Sequence, residues 1–294
     1  MAERPAGRTL RDRLSNPRAD RVAQVAALAG RSHSRAAQAA RAKTGLFALE
    51  GPQGVREAVR YAAHRVRDVY VTDEAAARWP EIVAEALAAD LFVHPVTDEV
   101  SAAMSGDSQG VLATVHTWDV AAGLDEAVQG ARLVAVLCDV RDPGNAGTAI
   151  RVADAAGADA VVLAGESVDV FNPKVVRATA GSLFHLPVVR GIDAADAVAA
   201  VRAAGLAVWA TGGGGRVELA AADPALARPT AWLFGNEARG LSAAQMALAD
   251  QVVRIPVFGR AESLNLAAAV SVCLYASAFA HAAGPAVAGG EGNR

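Results

Sequence analysis

Short apolar runs alternate with longer segments of helical periodicity along the first part of the chain. The apolar runs predict strands at Leu46 to Glu50, Val69 to Thr72, Leu91 to His94 and Val111 to His116. The periodic segments predict helices at Ala19 to Ala29, Ser32 to Lys43, Val55 to Ala63 and Glu74 to Ala89. Alternating strands and helices are typical of the α/β class. The pattern therefore predicts a compact α/β domain at residues 19–118, preceded by a flexible basic arm at residues 1–18.

The alternation starts again after a candidate linker at Asp119 to Gly130. Strands are predicted at Leu133 to Cys138, Ala160 to Leu163, Leu206 to Ala210, Ala231 to Phe234 and Val252 to Ile255. Helices are predicted at Ala146 to Ala156, Ala194 to Ala204, Ala243 to Ala249 and Leu264 to Ala283. We therefore expect a second α/β domain at residues 131–284 and a disordered Gly/Pro-rich tail at residues 285–294.

Charge is distributed unevenly over the 294 residues. The whole chain has 28 Lys+Arg and 31 Asp+Glu, but residues 1–67 have 14 and 5, which leaves 14 and 26 for the remainder. A basic front end is typical of a segment that meets a polyanion. Arg31, Arg35, Arg41 and Lys43 are the leading candidates for phosphate contacts, and the alternative is an ordinary solvated helix face.

The two cysteines, Cys138 and Cys273, both lie in apolar runs, so we expect neither a disulfide framework nor a zinc cluster. The Arg- and Pro-rich start has no apolar core segment, which argues against a secretory signal peptide. The apolar stretch Leu264 to Ala283 is long enough to span a bilayer, but it is rich in alanine and contains the polar residues Asn265, Ser271, Ser277 and His281. We expect a buried helix there, at a subunit interface, in a cytoplasmic protein.

Three loops of the second domain combine glycines with polar residues where predicted strands end, which is where open parallel sheets usually bind ligands. They are D-V-R-D-P-G-N-A-G-T-A-I-R from Asp139 to Arg151, L-F-G-N-E-A-R-G-L from Leu233 to Leu241, and R-I-P-V-F-G-R-A-E-S-L-N-L-A-A-A from Arg254 to Ala269. In the first loop, Asn145 is predicted to cap the following helix, which carries Arg151. Taken alone, the first loop is more often plain helix capping with a solvated charge, and the other two can be explained by a turn and by helix capping.

A glycine run at Thr211 to Gly215 follows another predicted strand. It lacks the G-K-[ST] of a phosphate-binding loop, and no G-x-G-x-x-G opens a helix in the sequence. The sequence therefore disfavours a Rossmann-type nucleotide site.

Together and in this order, N-x-G-x-x-x-R, G-N-E-x-x-G-L and I-P-V-x-G-x-x-E-S-L-N-L-A-A-A resemble the three motifs of the SpoU/TrmH family of RNA ribose 2′-O-methyltransferases. The resemblance covers about Leu133 to Ala283. The segments G-L-F-A-L-E-G-P-Q-G-V-R-E-A and S-Q-G-V-L-A-T-V of the first domain resemble the RNA-binding extension of the family, which has the fold of a small ribosomal RNA-binding protein. The resemblance implies an α/β catalytic domain tied in a trefoil knot, S-adenosylmethionine as methyl donor, and a homodimer with no metal.

The resemblance also assigns roles to individual residues. It implies a catalytic set of Asn145, Arg151, Glu237, Ser263 and Asn265, and cofactor contacts from Thr211, Gly212, Leu233, Gly235, Ile255, Val257, Leu264 and Ala269. Because a guanidinium keeps its proton in proteins, we expect Arg151 to stabilise the developing alkoxide and grip a neighbouring phosphate instead of acting as a base.

The resemblance also implies a substrate, because the RNA-binding extension is common among the family's rRNA enzymes, and it therefore favours 23S ribosomal RNA. Transfer RNA remains an alternative substrate, methylation of a base remains an alternative reaction, and a non-catalytic RNA-binding module remains an alternative function.

Overall fold

The computed structural model describes residues 11–30, 34–118, 123–219 and 225–283. Contacts between residues divide the chain into two units. Unit 1 comprises Met1–Asp119 and Asp169–His185, and unit 2 comprises Val120–Val168 and Leu186–Arg294.

Unit 1 is an α/β structure around a mixed sheet. Its helices are α1 (Asp20–Leu28), α2 (Arg35–Thr44), α3 (Pro52–Ala62), α4 (Asp73–Arg78), α5 (Pro80–Ala88), α6 (Asp98–Met104) and α9 (Pro173–Thr179). Its strands are β1 (Leu46–Glu50), β2 (Val66–Thr72), β3 (Phe92–Val96) and β4 (Val111–His116), in the order β1-β4-β2-β3. Strand β4 is antiparallel to both neighbours, whereas β2 and β3 are parallel.

Two local features set the helix boundaries in unit 1. The predicted helix Glu74 to Ala89 is two helices, α4 and α5, because Pro80 has no backbone N–H and disfavours the helical conformation at Trp79, whose φ and ψ are −130° and 62°. The second feature is capping of α2, where the Ser34 hydroxyl accepts from the Ala37 N–H and Gly45 ends the helix with a φ of 63°. Short α6 and α9 have no counterpart among the predicted elements.

Residues 169–185 pack with unit 1, although the sequence places them in the second domain. Phe171 stacks on Phe47 of β1 with ring centroids 5.0 Å apart. Arg177 of α9 donates to Glu50 at 2.9 Å. These apolar and charged contacts give the segment partners in unit 1 that hydrophobic periodicity alone does not identify.

Unit 2 is built on a parallel sheet, as predicted. Its strands are β5 (Leu133–Cys138), β6 (Ala160–Ala164), β7 (Val188–Ile192), β8 (Ala207–Thr211), β9 (Val217–Glu218), β10 (Thr230–Phe234) and β11 (Gln251–Arg254). Its helices are α7 (Leu124–Val128), α8 (Pro143–Ala155), α10 (Ala194–Ala203), α11 (Ala243–Ala247) and α12 (Leu266–Ala283). Within the described residues, the strand order is β7-β6-β5-β10-β8-β11-β9, and all neighbours are parallel. The central strands β5, β6 and β10 are buried throughout.

Helix α12 is the described helix that is long and apolar enough to cross a membrane by length and composition. It packs against α8, β5 and β10, and its buried residues include Val270, Cys273 and Leu274. Ser277 is buried as well, and its hydroxyl accepts from the indole N–H of Trp232 at 2.9 Å. One face of α12 therefore belongs to the core of unit 2.

Candidate functional site

The strands that precede the motif loops end side by side in the sheet of unit 2. Strand β10 lies between β5 and β8, and β8 lies between β10 and β11. At this edge the Thr211 hydroxyl donates to the Leu233 carbonyl at 3.4 Å, and the Gly212 N–H donates to the Val253 carbonyl at 3.0 Å. Because the strands are parallel, their carboxyl ends bring the three motif loops and the glycine run to one edge.

The first motif loop enters α8 at Pro143. Asp142 is the N-cap, since its carboxylate accepts from the Asn145 N–H at 2.8 Å. The prediction that Asn145 caps this helix is therefore wrong. Proline at the first helical position has a suitable fixed φ and needs no N–H partner, so the helix starts earlier than the apolar pattern indicates. Asn145 lies inside the first turn, and its side chain bonds to the other two motif loops.

Glu237, from the second motif loop, lies against the start of α8. Its carboxylate accepts from the backbone N–H groups of Arg141 at 3.4 Å and Asp142 at 3.2 Å, and from Nδ2 of Asn145 at 3.4 Å. A carboxylate at a helix N-terminus is stabilised by the unpaired N–H groups and the helix dipole. Glu237 therefore fastens the second loop to the first.

Asn265, from the third motif loop, completes the connection. Its Nδ2 donates to Oδ1 of Asn145 at 3.0 Å, and its own Oδ1 accepts from the Ala267 N–H at 2.8 Å at the start of α12. Glu237, Asn145 and Asn265 thus form one continuous chain of hydrogen bonds, which we call the amide bridge. Three of the five residues predicted to be catalytic meet in it.

The other two predicted catalytic residues lie outside the amide bridge. Arg151 is exposed on α8, six residues beyond Asn145, which places it about 9 Å along the axis and about 120° around it. Ser263 is exposed in the loop before α12. Neither side chain has a hydrogen bond or ion pair to any residue in the described part of the chain.

A pocket of about 670 Å³ opens beside the same edge of the sheet. Its walls come from the glycine run, from the second motif loop, and from α11 and β11. Of the residues predicted to bind a cofactor, Thr211 and Gly212 line it. The remaining six do not line this pocket. Five of them lie at neighbouring strand ends and loops, namely Leu233, Gly235, Ile255, Val257 and Leu264, and Ala269 lies in α12.

Gly235 allows a close crossing of the chain next to this pocket. A Cβ atom at Gly235 would lie 2.1 Å from the Gly240 carbonyl carbon and from the Leu241 nitrogen. No other residue fits without moving the backbone.

Val257 and Leu264, on the third loop, are 40% and 41% exposed, and therefore offer free apolar surface.

Asp139 is a site residue that the sequence analysis did not single out. It has a φ of 56°, and its carboxylate accepts from the Glu166 N–H and from Nε2 of Gln245, each at 2.9 Å. Its backbone carbonyl accepts from Nδ2 of Asn236 at 2.8 Å. Asp139 therefore braces the strand ends behind the amide bridge. Its position directly after a buried strand was a usable signal, but a left-handed φ cannot be read from one sequence.

The predicted phosphate contacts lie in different environments. Arg35 and Lys43 are exposed on α2, and Arg31 lies outside the described residues. Arg41 is only 5% exposed, and its guanidinium pairs with Asp169 at 3.0 Å. The prediction that Arg41 contacts RNA is therefore wrong. Its helix turns it inward, where it holds a carboxylate of the same unit.

Thiolate and metal chemistry find no support in the described residues. Both cysteines are buried, and burial raises the pKa of the Cys138 thiol to about 12, so it stays protonated and unreactive near neutral pH. No group of three or more His, Cys, Asp or Glu side chains in the described ranges is placed to hold a metal ion.

Comparisons with known proteins agree with this arrangement. The sequence model of the SpoU rRNA Methylase family matches residues 132–275. The 23S rRNA (guanosine(2553)-2′-O)-methyltransferase RlmP of Bacillus subtilis is 34% identical over 239 residues, which are 80% of this chain and 89% of RlmP.

Two solved structures share the fold over nearly the whole chain. An AdoMet-bound rRNA methyltransferase from Sinorhizobium meliloti superposes with a TM-score of 0.75 at 30% identity, covering 92% of this chain and 97% of that one. The AdoMet complex of the SpoU methyltransferase AviRb from Streptomyces viridochromogenes also has a TM-score of 0.75, at 32% identity, covering 90% and 100%. The protein is therefore a member of the SpoU rRNA methylase family.

Proposed function

We propose that the protein transfers a methyl group from S-adenosylmethionine to the 2′-hydroxyl of a ribose in 23S ribosomal RNA, in the cytoplasm. The observation that carries this proposal is the amide bridge, in which Glu237, Asn145 and Asn265 join the three motif loops. The relatives support the substrate class, since RlmP is named for 2′-O-methylation of 23S rRNA. The AdoMet complexes of the two similar structures support the donor.

The residues beside the amide bridge fit this donor. Glycines 212 to 214 leave their backbone groups accessible in the pocket, and Leu241 and Met246 give it apolar surface. Such a lining suits an adenine ring held by main-chain hydrogen bonds and apolar packing. The bound donor would supply an electrophilic methyl group on a positively charged sulfur. The protein must then hold the ribose in line and stabilise the oxygen as it loses its proton, and positioning alone can contribute ~7 to 11 kcal/mol.

Arg151 is the residue that we assign to the 2′-oxygen. A guanidinium keeps its proton, so it serves as a fixed positive charge for a developing alkoxide and an adjacent phosphate. Asn145 and Glu237 position the loops around the reacting groups, and Ser263 and Asn265 position the loop that leads into α12. The proton leaves to a neighbouring phosphate or to water, since the carboxylate of Glu237 is already engaged by the N–H groups of Arg141, Asp142 and Asn145.

The proposed active site is completed by a second copy of the chain. Arg151 lies about 120° around α8 from Asn145, so it cannot face the amide bridge of its own chain. Ala155 follows Arg151 by one turn, and its carbonyl accepts from the Tyr275 hydroxyl at 3.4 Å. Tyr275 belongs to an exposed apolar stripe of α12 that also contains Val272 and Phe279, which is 69% exposed. Burying this stripe in a two-fold dimer places Arg151 at the interface, where it can reach the partner's site.

The knot and the RNA-binding role of unit 1 complete the proposal. From the end of β11 the chain returns past β8 and β10 to reach Asn145. The proposed trefoil knot uses this return path, on which the third motif loop crosses back over strands that precede it in the sequence. Unit 1, with exposed Arg35 and Lys43, then supplies the basic surface for ribosomal RNA.

The test is methyl transfer from labelled S-adenosylmethionine to ribosomal RNA from a host that lacks the corresponding methylation, followed by nucleoside analysis and mapping. We expect the label in one 2′-O-methylnucleoside of 23S rRNA, and none with the Arg151→Ala variant. Label in a base would replace the proposed reaction with base methylation, and label in tRNA alone would replace the substrate. Tight cofactor binding without transfer to any RNA would identify a non-catalytic module.

A further inference from the structure

The pocket beside the amide bridge has two arginines in its wall, Arg216 and Arg239. We propose that they form an anion-binding pair that receives a carboxylate or phosphate group of a ligand at the pocket mouth. The proposal rests on the proposed function and deepens it, because the two available anions are the α-carboxylate of S-adenosylmethionine and a phosphate of the RNA. None of the residues assigned above to the catalytic or cofactor-binding set provides a positive charge in this pocket wall.

Both guanidinium groups are available for a ligand. Arg216 and Arg239 are exposed, and neither has an acidic or carbonyl partner in the described part of the chain. Two other exposed arginines of unit 2, by contrast, are paired. Arg141 pairs with Glu166 at 2.6 Å, and Arg254 pairs with Glu218.

The acid in the pocket wall does not neutralise the pair. Asp250 lines the pocket, but its carboxylate accepts from Arg202 at 2.5 Å and from the Val208 N–H at 2.7 Å. Its charge is therefore compensated outside the pocket. Two uncompensated guanidinium groups remain on the wall, and such a concentration of one sign of charge attracts anions.

The backbone under each arginine is fixed. The Gly215 N–H donates to the Gly212 carbonyl at 3.0 Å, and a Cβ atom at Gly215 would lie 2.7 Å from the Arg254 nitrogen, so the glycine run is pressed against β11. Arg239 lies in a turn closed by two backbone hydrogen bonds between Asn236 and Gly240, at 3.2 and 2.8 Å. A fixed backbone beneath a free arginine side chain suits anion binding, because the planar guanidinium group can donate two parallel hydrogen bonds to a carboxylate or phosphate.

The two anions can be separated by ligand chemistry. Isothermal titration calorimetry with S-adenosylmethionine and with 5′-methylthioadenosine, which lacks the carboxylate, reports the cofactor arm. Filter binding of ribosomal RNA at several salt concentrations reports the phosphate arm. The variants are Arg216→Gln, Arg239→Gln and the double variant. Arg132→Gln is the control, because it removes one exposed positive charge before β5, at the opposite edge of the sheet.

If the pair binds the carboxylate, the double variant weakens S-adenosylmethionine binding by about tenfold or more and leaves 5′-methylthioadenosine binding unchanged. If it binds phosphate, cofactor affinity is unchanged, and the slope of log K against log salt for RNA falls by about 1 per arginine. Either result supports the pair, provided that Arg132→Gln resembles the wild type.

A double variant that matches the wild type with all three ligands would overturn the proposal. Failure of the proposed function gives a different result, namely wild-type protein that binds RNA or cofactor but forms no 2′-O-methylnucleoside. The arginine pair is still tested in that case, because its readout is binding. A wild-type protein that bound neither cofactor nor RNA would overturn both.

Discussion

Asn265 and Asn145 lie 120 positions apart in the chain, yet Nδ2 of Asn265 donates to Oδ1 of Asn145 at 3.0 Å. Asn145 Nδ2 in turn donates to Glu237 at 3.4 Å, so one side chain links two loops. An amide is suited to this position because it donates and accepts at the same time. The loops before α8 and α12 are therefore aligned by a single residue.

We predict that Asn145→Ala lowers the rate of methyl transfer by about 100-fold, the effect of misplacing reacting groups by about 1 Å. The substitution removes both side-chain bonds but leaves the Asp142 cap, which uses the backbone N–H of residue 145. The helix should therefore remain folded. Single-turnover kinetics with saturating cofactor measures the rate, and calorimetry measures cofactor affinity. An equal loss of cofactor affinity would show that the amide bridge supports the pocket instead of the reacting groups.

The proposal that Arg151 of one subunit completes the active site of the other can be tested with mixed dimers. Arg151→Ala and Glu237→Ala should each be inactive as homodimers, with cofactor binding retained by Arg151→Ala. Mixed dimers of the two variants should regain activity, because one of their two sites then combines an intact Arg151 from one chain with an intact Glu237 from the other. The measurement is transfer by differently tagged, co-purified mixed dimers. No recovery in such dimers would place Arg151 and Glu237 of one chain in the same site.

Arg41 and Arg35 lie on the same helix but should respond differently to substitution. Arg41→Ala leaves the Asp169 carboxylate without its buried partner and should lower the free energy of unfolding by about 3 kcal/mol. Arg35→Ala removes an exposed charge and should change stability by less than about 0.5 kcal/mol while weakening RNA binding and its salt dependence. Urea unfolding and RNA titration separate the two effects. Comparable destabilisation by both substitutions would contradict the inward placement of Arg41.

Point substitutions test the contribution of the basic residues to RNA binding more cleanly than a deletion of residues 1–43 would. Val22, Val25 and Leu28 of α1 are each no more than 3% exposed in the core of unit 1. A deletion would therefore remove core packing together with the basic charges, and a loss of RNA binding would have two causes.

Hydrophobic periodicity identified most of the strands, but it missed β7 and β9 and placed residues 169–185 in the wrong unit. The strands Leu133 to Cys138 and Ala231 to Phe234 were predicted within one residue, because a buried parallel strand is a continuous apolar run. Strand β7, at Val188–Ile192, has only two fully buried residues, and its half-exposed pattern was not recognised. Residues 169–185 were misplaced because their partners, such as Phe47, are more than a hundred positions away.

The residues of the site could be predicted where motif spacing and the resemblance identified the loops. They could not be predicted where the direction of a side chain depends on its position around a helix. Asn145, Glu237 and Asn265 were all named from the sequence, but that they share one hydrogen-bond chain depends on three strand ends meeting. Arg41 was named for its charge, and a sequence does not show which way such a side chain points. The same limit applies to Asp139, whose role follows from a φ of 56°.

The loss of folding stability at acid pH should depend on Asp68 in unit 1. Burial alone raises the pKa of this carboxyl, but the hydrogen bond from His94 Nε2, at 2.8 Å, and the charges of His94, Arg21 and Arg67 outweigh it and hold the pKa below 3.8. A lowered folded pKa contributes stability above the unfolded value of 3.8, and the contribution is lost as pH falls through the folded value.

We therefore predict that Asp68→Asn is less stable than the wild type near neutral pH, and that the difference shrinks once the pH falls below about 4. Urea midpoints measured between about pH 7 and pH 3 provide the comparison. Asp12→Asn, at an exposed position, is the matched control and should follow the wild type. A difference that stays constant over the whole range would assign the effect to lost packing and not to the charge of Asp68.

The bond between Trp232 and Ser277 tests whether α12 is part of the fold of unit 2. Ser277→Val replaces the hydroxyl by a methyl group and adds a second methyl group, so the buried indole N–H of Trp232 loses its acceptor. This loss should lower the free energy of unfolding by about 1 to 3 kcal/mol. Ser271→Ala is the control, because the Ser271 hydroxyl bonds only to the Ala267 carbonyl within the same helix and should change stability by less than about 0.5 kcal/mol. Urea unfolding followed by tryptophan fluorescence measures both. A loss confined to Ser277→Val requires α12 to be packed on β10 in solution, whereas two neutral substitutions would mean that α12 is detached from the sheet.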